Sequence, residues 1–198
     1  MTFDKRALNH RALAVALTTV LFTTSCGEAA TETGTSESQG QATEHTDADV
    51  HFAQMMIPHH EQAVEMSDLA DTRAGDEVRP LAEQIRSAQG PEIEQMETLL
   101  DGWGAEVDHG MDHAEMDGML SEEQMAELES AEGEEFDALF LDLMILHHEG
   151  AVTMARTQLD EGVDPEAREL SQEIIDAQEE EIAHMNDLLG DEVHPDTR

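Results

Sequence analysis

The chain has 198 residues, of which 47 are acidic and 9 are Lys or Arg, for a formal net charge of −38. Such a surface repels phosphate backbones, which excludes nucleic acid as a partner, and it gathers cations. Aromatic residues make up 3% against 12 methionines, so a core must rest on Leu, Ile, Val, Ala and Met, which suits helices better than sheets.

Lys5, Arg6 and Arg11 precede an apolar run from Ala12 to Phe22. That run is too short to span a bilayer and reads as the middle of a signal peptide. Thr23-Thr24-Ser25-Cys26-Gly27 follows and resembles a bacterial lipobox. Residues 1–25 are therefore expected to be a lipoprotein-type signal peptide, with Cys26 the lipidated first residue of the mature chain. Cys26 is the sole cysteine, which excludes intrachain disulfides and multi-thiolate metal sites. Residues 26–48 are rich in Thr, Glu, Ser, Gly and Gln and read as a flexible tether. The expected location is the extracytoplasmic face of a bacterial membrane, held by a lipid anchor, with free secretion as the alternative.

Helical periodicity begins at about Asp49 and runs to Thr72. Its seam steps by three and four through Asp49, Phe52, Met56, His59, Ala63, Met66 and Ala70. Pro58 lies inside it and predicts a kink or local break. A second helix is expected from about Glu77 to Asp101, with seam Ala82, Ile85, Gln89, Glu92, Met96 and Leu99, interrupted at Gly90-Pro91. Residues 105–120 form a connector with little to bury. Ser121-Glu122-Glu123-Gln124 fits a capping box that opens a short helix to about Ala131. The next long helix spans about Glu134 to Asp160, with seam Asp137, Phe140, Met144, His147, Ala151 and Met154. Asp164-Pro165 supplies a cap and a first-turn proline for a last helix ending near Leu189, with seam Ser171, Ile174, Gln178, Glu181, Met185 and Leu188. Residues 191–198 are a tail.

These elements repeat. Met56-Ile57-Pro58-His59-His60-Glu61-Gln62-Ala63-Val64-Glu65-Met66 returns at an offset of 88 as Met144-Ile145-Leu146-His147-His148-Glu149-Gly150-Ala151-Val152-Thr153-Met154, identical at 8 of 11 positions. Gln89, Glu92 and Met96 return as Gln178, Glu181 and Met185 at an offset of 89, which predicts a second hairpin turn one residue longer. Two αα-hairpins of this kind predict an all-α fold, a four-helix bundle over residues 49–190 with a pseudo-twofold axis.

The seam carries Asp49, His59, Gln89 and Glu92 in one half and Asp137, His147, Gln178 and Glu181 in the other. Each buried polar group left without a partner costs about 1–3 kcal/mol. These groups must therefore pair with one another, with water or with an ion. One reading is a satisfied polar network that sets helix register. The other is a metal site, because His, Met and carboxylate recur together in both halves. Adjacent residues on a helix point about 100° apart, so His59 and His60 cannot act as a simple i, i+4 chelate. The seam makes His59 and His147 the core-facing pair, leaving His60 and His148 to meet a neighbouring helix or line the mouth of a site. Met56, Met66, Met144 and Met154 lie on the same stripes. Alone they would read as packing. Beside imidazoles, thioethers without thiolates suit Cu(I) and Ag(I), and His with carboxylate suits Cu(II). The connector adds His109, Met111, His113 and Met116 in an acidic stretch, a candidate second and looser site.

Other chemistries find less support. A di-iron centre needs Glu-x-x-His on two helices. Glu181-Ile182-Ala183-His184 supplies one, but Glu92-Ile93-Glu94-Gln95 has no imidazole. His-Glu-x-x-His, a Gly-rich phosphate loop and a nucleophile elbow are all absent from the sequence.

The paired Met-x-x-His-His-x-x-Ala-x-x-Met phrases, the Gln-x-x-Glu-Ile-x-x-Met helix after each, and the Gly-Met-Leu-Ser connector resemble the bacterial "domain of unknown function 305" family over about Asp49 to Leu189. The resemblance implies a ferritin-like bundle in the cell envelope, in a family some of whose members bind copper and are linked to copper tolerance. It carries His59, His60, Met56, Met66, His147, His148, Met144 and Met154 onto the family's motif, while Gly90-Pro91 departs from an unbroken second helix. The favoured reading is thus a membrane-tethered copper protein that sequesters or passes on the ion without turnover. A ferritin-like metal-dependent oxidase and a metal-free helical interaction module are the rivals. The protein partner is left open, a second copy of the chain among the candidates.

Overall fold

The computed structural model describes residues 44–107 and 116–193. Among them are five helices and no strand: α1 (Asp47–Arg73), α2 (Val78–Trp103), α3 (Glu122–Ser130), α4 (Glu134–Glu161) and α5 (Pro165–Val193). The fold is an all-α bundle. α1 pairs with α2 and α4 with α5 as hairpins, and α1 packs against α4 through the centre. No described helix is long and apolar enough to cross a membrane. Cys26, the apolar run before it and the tether residues up to 43 lie outside the described residues.

The helix starts follow from local chemistry. The Ser121 hydroxyl accepts from the Gln124 amide at 3.3 Å, while the Ser121 amide donates to Gln124 Oε1 at 3.0 Å. This is the capping box that residues 121–124 predict. Asp164 Oδ1 accepts from the amides of Glu166 (2.9 Å) and Ala167 (3.0 Å), and Pro165 opens α5 behind it. Residues 162–164 join α4 to α5, against 74–77 between α1 and α2, so the second turn is shorter rather than longer. With Asp164 capping and Pro165 in place, α5 starts early and takes up the additional residue in its first turn.

Both interior prolines lie in continuous helix, so neither breaks the element that holds it. Pro58 removes one backbone donor, but its neighbours Met56, Ile57, His59 and His60 are all buried and hold the segment in register. Pro91 is exposed, on a face of α2 that is open to solvent, so the carbonyl it frees is not sealed in the core.

Asp49 and Asp137 tie the two hairpins together. Asp49 accepts from Gln158 Nε2 (2.6 Å) and the amides of Val163 (3.1 Å) and Asp164 (3.1 Å), and from Thr46 at the start of its own helix (2.7 Å). Asp137, its repeat equivalent, accepts from the Gly75 amide at 2.9 and 3.1 Å. The start of each central helix thus grips the turn that ends the other, so α1 and α4 run antiparallel. Burial would raise the Asp49 carboxyl, but the hydrogen bonds from Thr46, Gln158 and Val163 outweigh it and hold the pKa at about 2. These aspartates anchor turns. Each lies ten residues from its histidine pair, about 15 Å along the helix, and so is not a ligand candidate for an ion held by the imidazoles that share its seam.

Two apolar clusters fill the bundle. One gathers Met66, Ile85, Phe136, Phe140, Met144 and Met185; the other gathers Phe52, Met56, Met96, Ala151, Leu170 and Ile174. The four histidines belong to neither cluster, and they fall between the two along α1 and α4.

Candidate metal centre

His59, His60, His147 and His148 are all fully buried, at 0% exposure. The 100° offset between neighbours on a helix sorts them into two kinds. His59 and His147 face each other across the α1–α4 contact, ring centroids 3.7 Å apart. His60 turns toward α2 and meets Glu92, Nε2 to Oε2 at 2.8 Å. His148 turns toward α5 and meets Glu181 at the same 2.8 Å. Glu92 keeps 19% of its side chain exposed and Glu181 8%.

A carboxylate only accepts, so Nε2 of His60 and of His148 carries the proton and each Nδ1 presents a lone pair. His59 Nε2 lies 3.2 Å from the backbone carbonyl of Asp117, which leaves its Nδ1 in the same condition. None of these three Nδ1 atoms has a hydrogen-bond partner, and neither nitrogen of His147 has one. Five buried imidazole nitrogens are thus orphaned, at a cost on the order of 1–3 kcal/mol each. An imidazole held by a carboxylate on one nitrogen and bare on the other is the arrangement of a metal-ligating histidine.

Burial is the main cause that pushes His59 down to about pKa 3 from 6.5, and a second proton on the adjoining imidazole of His60 or His148 would oppose one on His59 as well. His147 is lowered well below 6.5, first by burial and then by His59, His148 and His60. Both are neutral at pH 7 and offer lone pairs without proton competition. In the unfolded chain these imidazoles titrate near 6.5, so below that pH the unfolded state binds more protons and stability falls. The slope is up to about 1.4 kcal/mol per pH unit for each imidazole. Urea unfolding of the metal-free chain should therefore show a clear loss between pH 7 and pH 5. The Asp49 contribution is lost in a separate window, as pH falls from 3.8 toward 2.

Thioethers flank this layer. Met56 and Met144 lie one turn before the histidine pairs, and Met96 and Met185 one turn after Glu92 and Glu181; all four are fully buried. Sequence spacing places Met96 and Met185 only on the packing seam, although the Glu-Ile-x-x-Met phrase marks both. Met66 packs among Ala63, Ala70 and Phe140 in an apolar cluster, two turns from His59. Met154 is half-buried on the outer wall of the bundle and lines a pocket with Met116. His109, Met111 and His113 lie outside the described residues. His184 is exposed, so even the half-complete Glu-x-x-His pattern on α5 does not face the interior. Among the described residues no three His, Cys, Asp or Glu side chains converge as a ready-made metal site. A bound ion here would rest on imidazole nitrogens supplemented by thioether sulfur.

The connector closes one side of the layer. Gln62 Nε2 donates to the Leu120 carbonyl (3.1 Å) and Gln62 Oε1 accepts from the Leu120 amide (2.8 Å). On α4, Gly150 lies directly beneath Asp117 and Gly118; a Cβ there would stand 2.0 Å from the Asp117 carbonyl oxygen. Gly118 has φ +86°, a left-handed conformation that glycine adopts without strain.

Residues 49–189 match the family model described as "domain of unknown function (DUF305)". The chain is similar to a DUF305 protein of Streptomyces coelicolor that is taken to be secreted (33% identity over 73% of this chain and 93% of that one, TM-score 0.68). It is similar to a DUF305 fragment from Deinococcus radiodurans (36% identity, 73% and 97% covered, TM-score 0.68). It is also similar to CopM, solved in a Cu(II)-bound form (32% identity, 71% and 94% covered, TM-score 0.63) and in Cu(I)- and Ag-bound forms. No curated protein matches the chain.

Proposed function

The chain belongs to the DUF305 family, and from that premise we propose that it binds copper in the bundle interior and sequesters or hands on the ion in the cell envelope. The observation that carries this reading is the set of buried imidazoles with orphaned nitrogens, two of them braced by carboxylates. Neutral nitrogen and thioether donors in an enclosed, low-dielectric layer favour a monovalent ion, whose charge is cheaper to bury than that of a divalent one. His59, His60, His147 and His148 would supply nitrogen, Met56 and Met144 sulfur, and Glu92 and Glu181 would hold the outer imidazoles in their donor tautomer. CopM, a relative solved with Cu(I), Cu(II) and Ag, supports the choice of metal. The basic and apolar amino terminus ending at Cys26 supports export and a lipid anchor.

The test is a Cu(I) titration of the full chain carrying Cys26→Ser, against a competing chelator under anaerobic conditions, with Cu(II) in parallel. Micromolar or tighter Cu(I) binding is expected, weakened roughly 10- to 100-fold by Glu92→Gln together with Glu181→Gln. Affinity no better than millimolar for either ion would end the proposal.

A further inference from the structure

Outside the histidine layer, a pocket of about 250 Å³ opens where α1 and α4 meet the end of the connector. Its wall carries three thioethers from three separate stretches of chain: Met55 from α1, Met154 from α4 and Met116 from the connector. His51 stands one turn before Met55 on the same face of α1 and lines the same space. Methionines that serve packing are closed off, as Met56 and Met144 are at 0% exposure. Here Met55 and Met154 are half-buried and His51 is exposed, and Met116, at 9% exposure, closes the pocket's inner wall, so the pocket opens to solvent on one side and is packed on the other. Asp117 and Glu161 add exposed carboxylates to the lining.

We propose that this pocket is a second, solvent-facing site for a soft monovalent metal ion, held by the thioethers of Met55, Met116 and Met154 with the imidazole of His51. The chemistry is that of the donors: three polarisable sulfurs and one nitrogen, with no thiolate, select Cu(I) or Ag(I) over hard divalent ions. The adjacent carboxylates raise the local cation concentration without needing to ligate. The location gives the site its use. Asp117 lines the pocket and its backbone carbonyl touches His59, so one residue borders both the pocket and the buried layer. The pocket's own binding does not depend on the buried histidines holding metal.

The experiment uses the full chain with Cys26→Ser, purified in mild detergent and labelled with 13C at the methionine methyls, with silver nitrate as the probe in chloride-free buffer. The Met55, Met116 and Met154 methyl resonances should move on silver addition, and calorimetry of Met55→Leu/Met116→Leu/Met154→Leu should show one equivalent less bound. Silver binding that leaves those three methyls in place, or a triple variant with undiminished stoichiometry, would overturn the assignment. Should the leucine variant fail to fold, the methyl shifts of the parent chain decide alone. Movement of these three methyls without that of Met56 and Met144 would sink the buried-layer reading and leave the pocket standing; the reverse pattern would do the opposite.

Discussion

Replacing His59 and His147 together by leucine should raise the thermal stability of the metal-free chain and remove the buried layer's share of its stabilisation by Cu(I) or Ag(I). The reason lies in three orphaned nitrogens: His59 Nδ1 and both nitrogens of His147 are buried with no partner. Leucine is of similar volume and has nothing to satisfy, so the double variant should gain on the order of 2–4 kcal/mol after some loss to imperfect packing. For a domain of this size that is roughly 5–10 °C in Tm. The parent chain, in turn, should gain about 2.7 kcal/mol from the buried layer at metal concentrations one-hundredfold above that layer's Kd, and the variant should lose that gain. The variant should also lose the decline in stability between pH 7 and pH 5, because the depressed His59 and His147 pKa values are its source. A parent chain unmoved by metal would instead favour the metal-free interaction module, with the polar layer serving register alone. Stability given up at a site where a ligand restores it is the usual mark of function over fold.

Gly150→Ala should destabilise the bundle by about 1–3 kcal/mol and loosen the cover over the imidazoles. The new Cβ would meet the Asp117 carbonyl oxygen at 2.0 Å, its carbon at 2.5 Å and Gly118 Cα at 2.8 Å. All three are backbone atoms, so no side chain can swing away and the connector must lift. Lifting it withdraws the Asp117 carbonyl from His59 and strains the paired hydrogen bonds between Gln62 and Leu120. Thermal unfolding reads the first effect, and faster silver release in stopped-flow exchange reads the second. Gln62→Ala is the control, since it deletes the same tether without a clash and should cost less. An alanine variant as stable and as slow to release metal as the parent would mean that residues 116–120 are not seated on α4.

Much of this was legible in the chain itself. The doubled Met-x-x-His-His phrase and the three-and-four spacing of apolar residues determine four long helices in two equivalent hairpins, because that period leaves one stripe per helix to bury. The same spacing put His59 and His147 on the central seam, and the 100° step between neighbours sent His60 and His148 to the flanking helices. Asp164-Pro165 and Ser121–Gln124 announced their helix starts through purely local hydrogen bonds. Periodicity also put Asp49 and Asp137 on the seam, but it cannot say how far along the bundle a seam residue acts. Only the antiparallel packing of α1 on α4 set each of them against the other hairpin's turn, as anchors about 15 Å from the imidazoles. The asymmetry of the site was likewise decided in three dimensions. The three positions where the repeat fails to match, Pro58, Gln62 and Glu65 against Leu146, Gly150 and Thr153, carried a signal that spacing alone could not interpret. Folded, Gln62 grips the connector and Leu146, Gly150 and Thr153 line the groove beside it. A close approach between two backbones distant in sequence has no local pattern to announce it; it exists once the helices have met.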